Sequence, residues 1–285
     1  MNFLQIIVLA FIQGMAELLP ISSSAHVIVA EKLMGINPTR PEMTLFLVML
    51  HTGTMFSVLI YFWNDWKKRY FQSSAQTWLF IKQLVLATFA TGMLGIFFLI
   101  LIEKVILRHS AHPQVESLFG NLTLMSISLV AGGILILYAA WKQKKHTTSR
   151  PLGFKEALWI GLIQGLALPF RGFSRSGATI SLALIFGIDK MVGEEFSFAL
   201  ALLLTPPVIL REVYRVLKIH LTQGISYAQL GSLFYPSLFG MIFSFLAGLL
   251  ALKWLSSWLK SNRWGIFGVY CLFAAVVVFG FHLIH

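Results

Sequence analysis

Glu17 is the residue from which a chemistry can be built. It stands in an otherwise apolar segment, Phe3–Met34, with Gln13 four residues before it and Pro20, Ser22, Ser23, Ser24 and His26 after it. Residues four apart share one face of a helix, so Gln13 and Glu17 point the same way. Pro20 and the serines break that helix, and His26 returns the chain toward Glu17 from the other arm. A carboxylate, an imidazole and up to three hydroxyls are thereby gathered. A carboxylate inside an apolar segment is expensive and needs a partner.

A second segment supplies the complementary charge. It reads Arg171-Gly172-Phe173-Ser174-Arg175-Ser176-Gly177-Ala178-Thr179. The glycines allow the backbone to bend and to approach a ligand. The hydroxyls of Ser174, Ser176 and Thr179, and the amides that open a helix after Gly177, suit an anion. Arg175 presents a planar fork that matches a phosphate, with Arg171 beside it. Two arginines with few acids nearby leave the missing negative charge to a substrate. The competing explanation is structural: Glu17 and Arg175 as an ion pair locking two hairpins, with serines satisfying broken backbone. An acid, a base, hydroxyls and arginines at one depth weigh toward function. His51 reads equally well as a supporting residue or as a satisfied interior histidine. Glu194 and Glu195 favour a helix N-terminus, with Glu195 a lesser candidate for the site. His109, His112, His146, His220, His282 and His285 read as loop or tail residues.

The elements that hold these residues follow from composition. Of 285 residues 57% are hydrophobic and 12% charged, about half the usual charged share. That excludes a water-soluble enzyme. One cysteine, Cys271, excludes an internal disulfide and a cysteine-based metal cage. No cleavable signal peptide is evident. The net charge of +11 sits in short loops, where it sets orientation and meets anionic head groups rather than nucleic acid. Six apolar runs read as spans: Leu45–Trp63, Trp78–Ile102, Phe119–Trp141, Glu195–Leu217, Ser232–Trp258 and Trp264–Ile284. Phe3–Met34 and Phe154–Ile188 carry Pro, Ser and charge in their middles. Broken backbone at membrane depth survives only where protein covers it or it lines a wet cavity. Both therefore read as re-entrant helix-loop-helix hairpins.

The two broken segments also resemble each other. Ile12-Gln13-Gly14-Met15-Ala16 matches Ile163-Gln164-Gly165-Leu166-Ala167, Ser22-Ser23-Ser24-Ala25 matches Ser174-Arg175-Ser176-Gly177, and Glu42-Met43-Thr44-Leu45 matches Glu195-Phe196-Ser197-Phe198. The expected fold is one all-α polytopic membrane domain over 1–285, an inverted repeat with copies at about 1–145 and 150–285. Each half is a hairpin plus three transmembrane helices, and the hairpin tips should meet near the bilayer midplane. Lys67, Lys68, Arg69, Lys142, Lys144, Lys145, Arg150, Lys155, Lys190, Lys260 and Arg263 fall on one side. The other has Arg40, Lys104, Arg108 and the region Arg211 to Lys218. The richer side is expected to be cytoplasmic, with both termini outside.

At these residues the chain resembles a known family. Gln13-Gly-Met-Ala-Glu17-Leu-Leu-Pro-Ile-Ser-Ser-Ser-Ala-His26 is similar to the first signature of undecaprenyl-diphosphate phosphatases, the bacitracin-resistance family. Gly172-Phe-Ser-Arg-Ser-Gly-Ala-Thr179 is similar to their second, and Glu195-Phe-Ser-Phe198 fits the family's next segment. The resemblance runs along the whole chain. It implies a multi-pass enzyme of the bacterial inner membrane, with its active site facing the periplasm. The implied reaction hydrolyses undecaprenyl diphosphate to the monophosphate carrier of peptidoglycan synthesis, the step behind bacitracin resistance. It also implies a divalent cation, Mg²⁺ or Ca²⁺, with Glu17 as its ligand. By resemblance the catalytic set is Glu17, His26, Ser22, Ser23 and Arg175; Gln13, Ser24, Arg171, Ser174, Ser176, Gly177 and Thr179 bind substrate. Glu17 is either metal ligand or general base, His26 either nucleophile or proton shuttle, and a serine nucleophile stays open. The family's first motif often opens with Glu where this chain has Gln13, so one carboxylate is absent there. Expected partners are the polyprenyl diphosphate, membrane lipids and, left open, a second copy of the chain. The alternative function is a transporter or flippase of an anionic polyprenyl lipid, since broken helices meeting at midplane also build carriers.

Overall fold

The computed structural model describes residues 1–36, 41–106, 108, 118, 120–145, 149–223 and 227–284. Arg40, His109, His112, His146 and His285, all weighed from the sequence, lie outside the described residues, as does Phe119. The described chain is helical: α1 Phe3–Leu18, α2 Ser23–Leu33, α3 Pro41–Tyr70, α4 Ser74–Leu101, α5 Leu122–Gln143, α6 Phe154–Ala167, α7 Arg175–Ile185, α8 Lys190–Gln223, α9 Tyr227–Lys260 and α10 Gly265–Ile284. A π-helical turn, Ile102–Ile106, continues α4. No strand occurs among the described residues; one isolated bridge joins Arg150 and Ile188.

Six stretches among the described residues are long and apolar enough to cross a membrane: Leu45–Tyr70, Ser74–Val105, Leu122–Gln143, Lys190–Arg211, Phe234–Lys260 and Gly265–Leu283. They coincide with the six expected spans. Their outward faces stay apolar, with Phe89, Ile96, Phe273 and Val276 all exposed. A surface of that kind is soluble only in lipid, so the chain is a multi-pass membrane protein. The two broken segments are short helix pairs, as expected. α1 has 16 residues and α6 has 14, about 24 and 21 Å at 1.5 Å per residue, too short for a core of about 30 Å.

The helix ends follow local chemistry. Asn2 caps α1 by accepting from Gln5 N at 2.8 Å while Gln5 Oε1 accepts from Asn2 N at 2.9 Å, a reciprocal capping box. Asp189 Oδ1 accepts from Met191 N and Val192 N at the start of α8. α8 continues through Pro206 and Pro207.

The chain forms two compact units. The first comprises Met1–Leu19, His26–Trp63 and Ala201–Leu255; the second comprises Pro20–Ala25, Asn64–Leu200 and Ser256–His285. In the first, Ile6, Leu9 and Ala10 of α1 pack with Val27 and Ala30 of α2 and with Met43, Phe46 and Leu50 of α3. Both arms of the first break are thus laid on α3. α1 also lies close on α9: a Cβ at Gly14 would sit 2.5 Å from the Ser244 carbonyl oxygen and 2.6 Å from Ala247. Ser244 Oγ in turn donates to the Leu50 carbonyl of α3.

The second unit repeats that contact with the second copy of the motif. A Cβ at Gly165 would meet the Thr91 carbonyl oxygen at 2.7 Å and Leu94 at 3.0 Å. Thr91 Oγ1 donates to the Gly161 carbonyl, and Gln164 Nε2 donates to Thr91 Oγ1. The glycines of the two Ile-Gln-Gly motifs therefore do the same packing, each in its own unit. α5 runs along α10, where Ser126 Oγ donates to the Ala275 carbonyl at 2.8 Å. Trp264, fully buried, donates its indole N–H to Ser181 Oγ of α7.

Candidate active site

In the first unit, α1 and α3 bring three side chains together. Gln13 is 2% exposed. Its Nε2 donates to Glu17 Oε2 at 3.3 Å and lies 3.0 Å from His51 Nδ1. His51 Nδ1 is 3.9 Å from Glu17 Oε2. An ionised carboxylate only accepts hydrogen bonds, so the nitrogen end of the Gln13 amide must face Glu17. The same nitrogen faces His51 Nδ1 at hydrogen-bond distance. Gln13, expected to bind substrate, is thus buried with its amide protons directed at two side chains of the protein. His26 is the fourth residue of α2, half-buried, in the same unit.

Sequence reasoning left His51 undecided. A histidine within an apolar span looks the same whether it meets lipid-buried neighbours or a functional carboxylate. The signal that finds it is tertiary: Gln13 has two amide protons, and one remains after Glu17 is served.

In the second unit, the first break meets the second. Ser22 Oγ donates to the Arg171 carbonyl at 2.7 Å, across 149 residues of sequence. Ser22 has φ 68°, a left-handed conformation that a residue with a Cβ adopts only when its surroundings hold it. The Pro20 carbonyl beside it accepts from Cys271 Sγ of α10. Ser23 opens α2 and is buried, and Ser24 is half-buried.

The second loop is fixed from three sides. Ser174 caps α7 by accepting from Gly177 N at 3.2 Å, and its Oγ lies 3.4 Å from Ser176 Oγ. Thr179 is fully buried; its Oγ1 is 2.5 Å from Ser197 Oγ of α8 and donates to the Arg175 carbonyl. Thr179 ties α7 to α8 at that position. A Cβ at Gly172 would run into the Met125 carbonyl and Ser128 of α5. The missing side chain there admits α5, not a ligand as expected, and the Gly177 amide serves the cap. Arg171 is exposed and Arg175 half-buried. Glu195 is turned elsewhere: both of its oxygens accept from Arg69 Nε, at 3.3 and 3.0 Å. Glu194 Oε1 accepts from Ser256 Oγ at 2.6 Å.

The donor set bears on the implied cation. Among the described residues no three His, Cys, Asp or Glu converge. Glu17 is the one carboxylate of its cluster, and Gln13 turns N–H groups, not its carbonyl oxygen, toward it. One carboxylate is compatible with a divalent cation that keeps several waters and is completed by substrate phosphates, as Mg²⁺ commonly is.

The family model described as bacitracin resistance protein BacA matches residues 6–277. The chain is 52% identical over 284 residues to undecaprenyl-diphosphatase 2 of Acinetobacter baylyi, with 98% of each chain covered. It is 31% identical to an undecaprenyl-diphosphatase of Halothermothrix orenii, over 98% of this chain and 97% of the relative. A third such relative, from Thermodesulfovibrio yellowstonii, is 32% identical over 96% and 95%. Matched from end to end and carrying both signatures on the two broken segments, the chain belongs to the bacitracin resistance protein BacA family.

Proposed function

We propose that this chain is an integral-membrane phosphatase. It hydrolyses undecaprenyl diphosphate to undecaprenyl phosphate and inorganic phosphate, returning the lipid carrier to cell-wall synthesis. The relatives' names support the reaction. The observation that carries it over a carrier of the same lipid is that Glu17 and His26, a carboxylate and an imidazole from the two arms of the first break, lie in one compact unit. A transporter needs anion-binding groups but no acid–base pair.

Hydrolysis breaks the bond between the terminal phosphorus and the bridging oxygen; water's oxygen ends on the released phosphate. Such a step needs positioning and charge neutralisation more than covalent chemistry. Arg175 grips the diphosphate, with Arg171 and the amides opening α7 assisting. Glu17 would hold Mg²⁺, which supplies charge neutralisation at the phosphate oxygens. His26 handles the nucleophile's proton or attacks the phosphorus itself. Ser22 fits a clamp better than a nucleophile, because its proton rests on a backbone carbonyl and a carbonyl is no base. The basic loops argue for a site facing the periplasm in the bacterial inner membrane.

Purified protein in detergent, supplied with undecaprenyl diphosphate and Mg²⁺, is expected to release inorganic phosphate. Transport needs a second compartment, whereas hydrolysis does not. No release in detergent, with lipid movement in vesicles, would replace the enzyme by the carrier.

A further inference from the structure

The far end of α7 lies well away from its arginine. Arg175 opens the helix, and Leu184 follows about 14 Å further along at 1.5 Å per residue. Beyond it the chain turns at Gly187, φ 76°, and enters α8. This end of the second unit holds a cavity of about 660 Å³ lined by Leu184 and Gly187, within the roughly 300–1,000 Å³ of ordinary ligand sites. Backbone bonds fix its wall: the Gly187 carbonyl accepts from Arg150 N at 2.8 Å, and Ile188 N donates to the Ala183 carbonyl at 3.0 Å. Three lysines line it from three elements. Lys144 comes just past α5, Lys190 starts α8 and Lys260 ends α9.

The cavity is short of negative charge. Among the described residues Asp189 is the one acid lining it, and its Oδ1 already accepts from Met191 N and Val192 N at 3.0 and 3.2 Å. Lys190 Nζ donates to a neutral acceptor, Asn262 Oδ1, at 2.5 Å. Neither Lys144 nor Lys260 forms an ion pair among the described residues. Gln143 lines the same cavity, and its Nε2 is enclosed with no acceptor among the described residues. A donor left so is costly, and an occupant rich in oxygen would relieve it. The depth of the cavity is also set. The spans Leu122–Gln143, Lys190–Arg211 and Phe234–Lys260 each have an end at its rim, at the level of lipid head groups. Trp141, 54% exposed and with Lys145 Nζ 3.6 Å from its ring centre, marks the same layer.

We propose that this cavity is a second anion site, which binds the phosphate of an anionic phospholipid head group. Lys144, Lys190 and Lys260 hold the phosphate oxygens, as basic pockets between membrane helices do for acidic lipids. The acyl chains lie along the exposed apolar stripe Val130, Ile134 and Tyr138 of α5. A lipid suits the place better than a soluble anion, because the ends of the spans stand among head groups at high local concentration.

The test titrates purified protein in detergent with phosphatidylglycerol, phosphatidylcholine or inorganic phosphate. Thermal melting and the lipid retained in native mass spectra are read. Phosphatidylglycerol is expected to raise the melting temperature and to stay on as one bound lipid, and the other two are not. Each lysine near an anionic lipid is worth about fivefold in affinity. The triple variant K144Q/K190Q/K260Q should therefore bind phosphatidylglycerol about a hundredfold more weakly. The triple K68Q/K82Q/K155Q removes the same charge from exposed lysines elsewhere in the unit and should bind within about twofold of the unmodified protein. K144E keeps the Lys190–Asn262 bond, so it guards against a misfolded triple; it should bind at least about fivefold more weakly. Normal binding by K144E overturns the proposal. So does an equal loss in the second triple, which would mean diffuse charge, or equal retention of phosphatidylcholine, which would mean no recognition of an anion. Protection by inorganic phosphate that matches the lipid would assign the cavity to a soluble anion and overturn the lipid site.

Discussion

Ser22 Oγ donates to the Arg171 carbonyl at 2.7 Å, tying the first broken segment to the loop that carries Arg175. The bond holds Ser22 at a φ of 68°, so one hydroxyl both joins two segments and sustains an unfavourable backbone. A clamp of this kind predicts a graded response to substitution, unlike a nucleophile. S22G loses the hydrogen bond but tolerates the left-handed conformation. S22A loses the bond and keeps a Cβ where left-handed geometry costs about 1–2 kcal/mol. S22A is therefore expected to melt below S22G, and S22G to keep measurable phosphate release. An S22G protein that folds normally but is dead would restore the serine to the role of nucleophile.

Glu17 and His26 are expected to matter for turnover. E17Q and H26A should each remove most phosphate release, by roughly 10²–10⁴-fold if only acid–base work is lost. Both should still insert and melt as the unmodified protein does. Near-normal release by both variants would make these residues structural and favour a carrier.

Arg69 and Glu195 offer a test of packing alone. Glu195 is 1% exposed in its side chain while Arg69 is 43% exposed. Removing the arginine leaves a carboxylate buried without its cation, which costs about 3–5 kcal/mol. R69M is expected to lower the melting temperature sharply, and R69M with E195Q to recover most of it. If the single variant melts normally, the pair is a surface contact with no structural weight.

Orientation rests on the loop charges and can be probed from outside the cell. Cys271 is buried, so new thiols report alone. An impermeant maleimide should label G120C in intact cells and miss Q72C until the membrane is opened. The opposite pattern would turn the protein over and place its site toward the cytoplasm.

The broken segments were legible in the sequence because Pro20, the serines and Glu17 interrupt a run that lipid would otherwise cover. The same physics marked Phe154–Ile188, and the six spans followed from length and apolarity. What the sequence left hidden were contacts between distant elements. Nothing local says that Arg69 meets Glu195, 126 residues away, or that Thr179 turns inward to Ser197. A serine and a threonine near an arginine look like ligands for an anion until the burial of Thr179 is known. Gly172 shows the same limit: a glycine in a polar loop suggests approach to a ligand, and here it admits the Met125 carbonyl of α5.

Arg175 bears the heaviest burden in the proposed reaction, and its chemistry separates a charge requirement from a shape requirement. It opens α7 after the Ser174 cap and is half-buried. A guanidinium at membrane depth needs an anion or a carboxylate to meet it. If the anion is the diphosphate, two parallel N–H groups hold two oxygens, which a lysine ammonium cannot reproduce. R175K should then stay defective, at least tenfold down in kcat/KM, although the charge is kept. R175A should be worse, by about another order of magnitude. Neither variant should melt far from the unmodified protein, because the cap of α7 is made by Ser174 and Gly177 and survives both changes. Adding undecaprenyl phosphate should raise the melting temperature of the unmodified protein and leave that of R175A unmoved. Full activity in R175K would mean that a point charge suffices. A large loss of stability in R175A without ligand would mean that the arginine serves the fold, and the phosphate clamp would have to be assigned elsewhere.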